Sequence, residues 1–551
     1  MSQDNLIRMY ETSFREYREL PALTDYFKNE TFSYYEVAKE VAKLHMLFSK
    51  TGLKKGERIA LVGRNNPRWV ITYIASLTYG AVIVPLLQDF NDNDINHIIS
   101  HCEAKLVFAG DIHWDMIDEN QLKNVKAVFS LTDFQCVHEK FGTEITSYRE
   151  NLLSHYRSKY PKGFTINDIA YEEIPDDSVA VISYTSGTTG FSKGVMLTIG
   201  NITANVAFAM EKKFHYQGSR VLSLLPLAHI YGCVFDMLTP LSAGSHIVLM
   251  GNTPSVKTSL KAMHEVKPHL MCMVPAMMEK IVRRQLLPLA ENRMMKLFTK
   301  IPVADNVIRT TIRKKLVSSF GGEIMEVNIG GAPLNREVAE FLVQIKFPFT
   351  VGYGMTECAP LISYSPHEEY KLGSCGRVIP GIEVHIESDD AQNIQGEIIV
   401  KGPNVMKGYF KDPDLTSKTI KDGWLHTGDI GTMDPDGTLY IRGRRESAII
   451  LPEGQLIYPE ELESRLNVMD CVMESLVLER HGRLVALVVP DYEQADAQGI
   501  TVSALRDVMK ENLKTLNSLI APFEAVSDII LYPEEFEKTP KKSIKRFIYT
   551  N

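Results

Sequence analysis

The chain has 551 residues, a formal net charge of −8, 44% hydrophobic and 23% charged residues. That length exceeds what one hydrophobic core fills, since cores stop growing near ~250–300 residues, so at least two domains are expected. The acidic balance, with no basic patch interleaved with aromatics, excludes nucleic acid as a principal partner, and small anionic ligands need local positive sites.

The first residues, Met1-Ser2-Gln3-Asp4-Asn5 and on to Glu19, stay charged and do not read as a signal peptide. Trp69 to Leu87 runs 19 residues without a charge, near the length of a membrane span. Thr72, Ser76, Thr78, Gly80 and Pro85 interrupt it, and a helix to about Tyr79 followed by a buried strand over Ala81–Val84 fits better. Peripheral membrane contact is left open. The seven cysteines, at 102, 136, 233, 272, 358, 375 and 471, form no C-x-x-C pair. Their odd number and scatter predict reduced, buried thiols and a cytoplasmic setting.

Up to about residue 350, apolar strand-like runs alternate with helical patterns. The runs are Arg58–Val62, Ala81–Val84, Leu106–Ala109, Ala127–Ser130, Val179–Tyr184, Val221–Leu225, His246–Leu249 and Met325–Ile329. Such alternation predicts an α/β fold with mainly parallel sheets flanked by helices. From Gly373 to Arg442, short strands broken by glycines and the Asp436-Gly437 turn predict a small antiparallel β lobe. Pro459 then opens a short helix, Glu460–Leu466. A hairpin follows, Glu474–Leu478 with Leu484–Val489 about His481-Gly482, and then a helix with Leu505, Val508, Met509 and Leu516 on one face. The expected organisation is a large multi-lobed N-terminal domain over 1–445 and a small, mobile α+β C-terminal domain over 446–551.

The strongest local pattern is Tyr184-Thr185-Ser186-Gly187-Thr188-Thr189-Gly190-Phe191-Ser192-Lys193-Gly194, directly after the apolar strand. Its glycines free the backbone to turn N–H groups inward, its hydroxyls add donors, and Lys193 adds a full charge. The composition suits a polyphosphate. It is not a Walker A loop, because the lysine lies three residues past Gly190.

This loop resembles the phosphate loop of the adenylate-forming, AMP-binding superfamily. Further motifs follow in that superfamily's order: Leu225-Pro226-Leu227-Ala228-His229-Ile230-Tyr231-Gly232, Gly330-Gly331-Ala332-Pro333-Leu334 and Tyr353-Gly354-Met355-Thr356-Glu357. After these come Gly423-Trp424-Leu425-His426-Thr427-Gly428-Asp429, Gly443-Arg444-Arg445 and Tyr458-Pro459-Glu460-Glu461. The resemblance spans nearly the whole chain and is closest to bacterial long-chain fatty acid–CoA ligases. It implies an ATP-dependent ligase that forms an acyl-adenylate from a fatty acid and passes the acyl group to coenzyme A, with Mg²⁺ as cofactor and AMP and pyrophosphate as products. Transfer to a carrier-protein thiol and adenylation of another carboxylate remain alternatives, as does an adenylate- or acyl-binding module with weakened catalysis.

By resemblance, Thr185 and Glu357 hold the metal, and Ser186, Gly187, Thr188, Thr189, Gly190 and Lys193 hold phosphate. Tyr353 stacks on adenine, Gly331, Ala332 and Pro333 line its other side, and Gly354, Met355 and Thr356 complete the nucleotide motif. Asp429 takes the ribose hydroxyls and Arg444 the ribose or phosphate. Arg445 reads as a solvated charge, and His229 lies near the substrate carboxylate. Glu446 is the hinge, and a second pose of the C-terminal domain brings Gly454-Gln455-Leu456 to the thiol tunnel. The tail Glu537-Lys538-Thr539-Pro540-Lys541-Lys542-Ser543-Ile544-Lys545-Arg546 departs from the pattern: Ser543 stands where the adenylating lysine is expected. Lys542 replacing it, Lys545 turning inward, and slow adenylation are the three readings left open, with Lys542 the first choice.

Overall fold

The computed structural model describes residues 5–140, 142–185, 193–251, 255–285, 302–451, 456–539 and 544–550. Its largest sheet has eight strands. In spatial order they are Gly408–Tyr409, Lys193–Thr198, Val179–Thr185, Val82–Leu86, Arg58–Val62, Leu106–Ala109, Ala127–Ser130 and Cys136–Glu139. The five strands from Val179–Thr185 to Ala127–Ser130 run parallel, as the alternating pattern predicts. The flanking strands run antiparallel, so the sheet is mixed at both ends.

The helix Pro67–Tyr79 shows how local chemistry sets these elements. Asn66 caps it by accepting from Trp69 N–H, proline occupies the first turn, and Gly80 ends it at φ +81°. The helix is almost wholly buried against the large sheet, and the chain leaves it into Val82–Leu86, one of the sheet's central strands. The uncharged stretch from Trp69 to Leu87 is therefore a core helix and strand. Among the described residues no helix is long and apolar enough to cross a membrane.

A second sheet joins Arg220–Ser223, His246–Leu249, Pro21–Asp25 and Glu30–Ser33. A third, all parallel, joins Leu270–Met273, Glu326–Ile329 and Phe349–Val351. The β lobe is antiparallel: Glu383–Glu387, Gly396–Lys401, Trp424–Met433 and Ile420–Lys421, with Leu439–Arg444 also paired to Trp424–Met433. Beyond it, the strands Val472–Arg480, Arg483–Pro490 and Val526–Leu531 and the helices Pro459–Leu466 and Leu505–Ser518 enclose a separate apolar core around Leu462, Leu466, Val477, Ala486, Val488 and Leu516. The C-terminal unit meets the rest where Tyr458 packs on Gly443 and where Asn335 Nδ2 donates to Ser464 O at 2.7 Å. A Cβ on Gly443 would lie 2.6 Å from the Tyr458 ring. All seven cysteines are free. Five are buried as expected, while Cys136, on the edge strand Cys136–Glu139, and Cys375 are half-buried.

Among the described buried acids, Asp236 lies deepest. It sits in a π-helical turn, Cys233–Leu238, and is 0% exposed, with the Cys272 and Ser223 side chains and the Leu225 backbone close around its carboxyl group. Burial pushes its pKa up to about 7. The folded state therefore favours the neutral acid. The stability this gives is complete below the ordinary carboxylate range and is lost as pH rises through about 7. Asp236→Asn, which keeps the shape and cannot ionise, is expected to unfold at a higher temperature than wild type at pH 8, with a clearly smaller advantage at pH 5. Thermal unfolding of both proteins at the two pH values measures this, and an equal difference at both pH values contradicts it.

Candidate functional site

The sheets deliver the predicted motifs to one region. Glu326–Ile329 ends at Gly330-Gly331-Ala332-Pro333, and the neighbouring strand Phe349–Val351 runs on to Tyr353. Gly352 N–H donates to Ile329 O at 2.9 Å, which locks the two strand exits side by side. Gly331, Ala332 and Pro333 are exposed, with Gly331 at φ +88° and nothing within 4 Å of the position a Cβ would take. The His229 motif joins them from the other flank. Tyr231 donates from its hydroxyl to Asn328 O at 2.8 Å, and its ring would lie 3.3 Å from a Cβ on Gly330. His229 Nδ1 accepts from Tyr231 N–H at 3.3 Å and so caps the short turn that carries this tyrosine.

Tyr353 reaches across to the β lobe. Its hydroxyl donates to Asp429 Oδ2 at 2.6 Å, while Arg444 Nε lies 3.2 Å from Oδ1. Asp429 is 4% exposed. Burial raises its pKa, and the Arg444 charge and the Tyr353 hydrogen bond work against that rise. The carboxylate in turn raises Arg444. Register explains the pairing, since Asp429 and Arg444 are direct partners on adjacent antiparallel strands. Each Asp429 oxygen has lone pairs to spare for a diol.

Glu357 sits in a short 3-10 turn, Thr356–Cys358, half-buried. Its Oε1 accepts from the Tyr409 hydroxyl at 3.0 Å, and its backbone carbonyl accepts from Met406 N–H at 2.8 Å. Tyr409 was not legible as a site residue: it follows a glycine in an ordinary loop sequence, 52 positions from Glu357. Lys193 Nζ lies over the same ring, 5.9 Å from its centre. Thr185 and Lys193 are direct partners at the mouth of the strand pair that brackets the predicted phosphate loop. Tyr409 therefore links Lys193 to Glu357. The ends of this pair, Thr185 and Lys193, are described; Ser186, Gly187, Thr188, Thr189 and Gly190 lie outside the described residues, as do Gly454, Gln455, Lys541, Lys542 and Ser543.

The donor set suits Mg²⁺. Glu357 offers a carboxylate whose only described hydrogen bond comes from one hydroxyl, and hard cations take such oxygens together with waters and phosphate. Two other groups, Glu326–His367–Glu368 and Glu387–Glu397–His426, come within metal-ligating reach of one another. Both are closed by protein donors. Tyr364 O–H and His367 N–H bond Glu326, and Arg445 and Gly428 N–H bond Glu397.

Gly354 is required sterically: a Cβ there would stand 2.2 Å from Pro360 O. Met355 N–H donates to Pro360 O, and Thr356 is buried beneath, so the Tyr-Gly-Met-Thr-Glu segment is a tight turn aiming Tyr353 and Glu357. Glu446 is exposed in the short turn Arg445–Ser447. Lys545 Nζ pairs with Glu537 at 3.5 Å. Arg445 is exposed, as expected of a surface charge, but its Nη2 also lies 2.7 Å from Oε2 of the buried Glu397, because Glu397 faces the strand end from which Arg445 departs.

Comparison with known proteins places this geometry. The family described as AMP-binding enzyme matches residues 10–410. The chain is 31% identical to long-chain-fatty-acid–CoA ligase 1 of Cavia porcellus, over 92% of this chain and 80% of that protein. It is 27% identical to the long-chain-fatty-acid–CoA ligase of Escherichia coli O6:H1, over 83% and 80%. Among solved structures, the O-succinylbenzoate coenzyme A synthetase MenE of Bacillus subtilis, in complex with ATP and a magnesium ion, superposes with a TM-score of 0.72 at 22% identity, covering 98% of each chain. MatB from Rhodopseudomonas palustris, bound to ATP, gives 0.75 at 22% identity, covering 99% of this chain and 98% of that one. With a family match spanning most of its length and its motifs drawn together at one site, the chain belongs to the AMP-binding enzyme family, as an adenylate-forming acyl-CoA ligase.

Proposed function

We propose that the substrate is a long-chain fatty acid, activated with MgATP as acyl-AMP and then transferred to coenzyme A. The observation that carries this reading is the linked pair of sites: Asp429 with Tyr353 and Arg444, and Glu357 with Tyr409 and Lys193. The relatives named as long-chain-fatty-acid–CoA ligases support the choice of acid and of thiol.

The chemistry asks two anions to meet, a carboxylate and the α-phosphate of ATP, and their repulsion opposes approach. Mg²⁺, when bound, spreads the phosphate charge. Glu357 and Thr185 would hold it, and Tyr409 keeps the Glu357 carboxylate aimed. Lys193 adds charge at the phosphates. Tyr353, fixed through its hydroxyl by Asp429, presents a ring face to adenine opposite Gly331, Ala332 and Pro333, and Asp429 takes the ribose hydroxyls. His229 borders the carboxylate end of the acid. The C-terminal unit, turning about Glu446, brings Lys542 to the α-phosphate and shields the mixed anhydride from water.

Three outcomes test this. Pyrophosphate–ATP exchange should depend on a long-chain fatty acid, and free coenzyme A should then yield the thioester. Exchange with no carboxylate of a broad panel would favour a binding module, as Ser543 suggests, and exchange without thioester would favour a carrier-protein acceptor. Glu357→Gln should slow exchange by roughly 10²-fold, the order lost when one charge-stabilising group is removed, and Tyr409→Phe by less, with a higher Mg²⁺ requirement. Lys542→Ala should slow exchange more than it slows thioester formation from supplied acyl-AMP, whereas Ser543→Lys should not. Equal slowing of both halves by Lys542→Ala removes that residue from the adenylating role.

A further inference from the structure

The β lobe ends in two consecutive arginines that grip two different carboxylates. Arg444 takes Asp429, and Arg445 takes Glu397. Glu397 is 4% exposed and lies at the junction of everything around it. Its Oε1 accepts from Gly428 N–H at 2.9 Å, and His426 Nδ1 lies 3.1 Å from Oε2. Burial opposes its ionisation, yet the His426 and Gly428 bonds and the Arg445 charge outweigh it and hold the carboxyl below the usual range. Glu387 also faces His426, at 4.0 Å, and adds a second acid on that side.

The backbone explains why a carboxylate is needed there. The pairing of Gly396–Lys401 with Trp424–Met433 shifts register between Glu397 and Ile399, so the partner strand bulges at Thr427, Gly428 and Asp429. Gly428 sits at φ +72°, and its N–H has left the ladder. Glu397 restores the lost partner. Thr427 Oγ1 donates to Ile398 O and accepts from Asp429 N–H, so the bulge is closed on both sides. Asp429 is the next residue after the glycine. On its other oxygen, Glu397 holds Arg445, the first residue beyond the paired strand and the one before Glu446.

We propose that Glu397 is a positioning residue of the nucleotide site: it fixes the bulge that presents Asp429 and, through Arg445, ties that bulge to the residue preceding the hinge. One buried carboxylate then sets both the grip on the ribose and the point at which the C-terminal unit begins to move. The inference rests on Asp429 contacting the nucleotide, as in the function proposed above.

The test uses the full-length chain, AMP titrated by calorimetry, and pyrophosphate exchange. The Arg445 side chain is 59% exposed, so Arg445→Ala leaves the core intact. It should weaken AMP binding about five- to tenfold, the order expected when a charge-assisted hydrogen bond on a buried carboxylate is lost. Arg445→Lys should recover most of that loss, and Glu397→Gln should lose at least as much as Arg445→Ala. In exchange, KM for ATP should rise by the same factor while KM for the acid stays unchanged. Unaltered AMP affinity in Arg445→Ala, or an equal rise in both KM values, overturns the inference while leaving the functional reading in place. Failure of the wild-type protein to bind AMP sinks the functional reading, and this inference with it.

Discussion

A buried carboxylate bonded from two sides organises the candidate site of this protein. Asp429 is all but sealed from water, a placement that costs several kcal/mol for an ionised group unless partners replace the lost hydration. Tyr353 and Arg444 are those partners, and they come from opposite directions in the chain. Tyr353 extends from the parallel sheet whose neighbouring strand ends in Gly330-Gly331-Ala332-Pro333, and Arg444 closes the β lobe. The single acid thus ties three motifs into one surface. It also holds the Tyr353 hydroxyl, so that the ring is oriented before any ligand arrives. Removing either partner leaves a buried charge uncompensated, which is why the cluster is mutually dependent rather than additive.

The same logic repeats a few residues away with Glu357. Its hydroxyl partner, Tyr409, belongs to a short strand that the eight-stranded sheet gains beyond Lys193–Thr198. That added strand has a purpose beyond edge protection: it brings one aromatic ring within reach of both Glu357 and Lys193. Close backbone contact does the rest. Gly354 lies so near Pro360 O that any side chain there would force the Tyr353-to-Glu357 turn apart, and Gly443 leaves room for the ring of Tyr458 where the C-terminal unit begins.

Much of this was written locally and could be read. Strands such as Arg58–Val62, Leu106–Ala109, Ala127–Ser130 and His246–Leu249 stand at their expected bounds, because apolar runs closed by turn residues specify buried strands without help from elsewhere. The helix at Pro459–Leu466 and the hairpin Val472–Arg480 with Arg483–Pro490 follow for the same reason, although both hairpin strands run longer than their apolar stretches. Boundaries slipped where tertiary contacts decide them. The strand expected over Val221–Leu225 spans Arg220–Ser223, and Val82–Leu86 continues through Pro85, whose neighbours pair in parallel. Spatial strand order could not be read, since periodicity gives the faces of a strand and not its neighbours, so the antiparallel Val179–Thr185 and Lys193–Thr198 pair was hidden. Arg445, Glu397 and Tyr409 were missed for one physical reason. Each acts through a partner from 48 to 52 positions away, and a lone charge or tyrosine in a loop has no local pattern that announces such a partner.

The charge arrangement at the site argues for the metal independently of any resemblance. The protein is acidic overall, and the two acids that define the region, Glu357 and Asp429, would both repel a nucleotide triphosphate. Arg444 is already committed to Asp429, and its charge largely cancels there. Among the described residues, Lys193 faces Glu357 across the Tyr409 ring. On the function proposed above, a cation arriving with the triphosphate would offset that repulsion. Glu357, half-buried and aimed by a neutral phenol rather than paired with an arginine, is the group such a cation would need. Had Tyr409 been a lysine or arginine, the same geometry would have attracted phosphate directly and left the metal no ligand. The choice of an uncharged hydroxyl at that position is what makes Glu357 available.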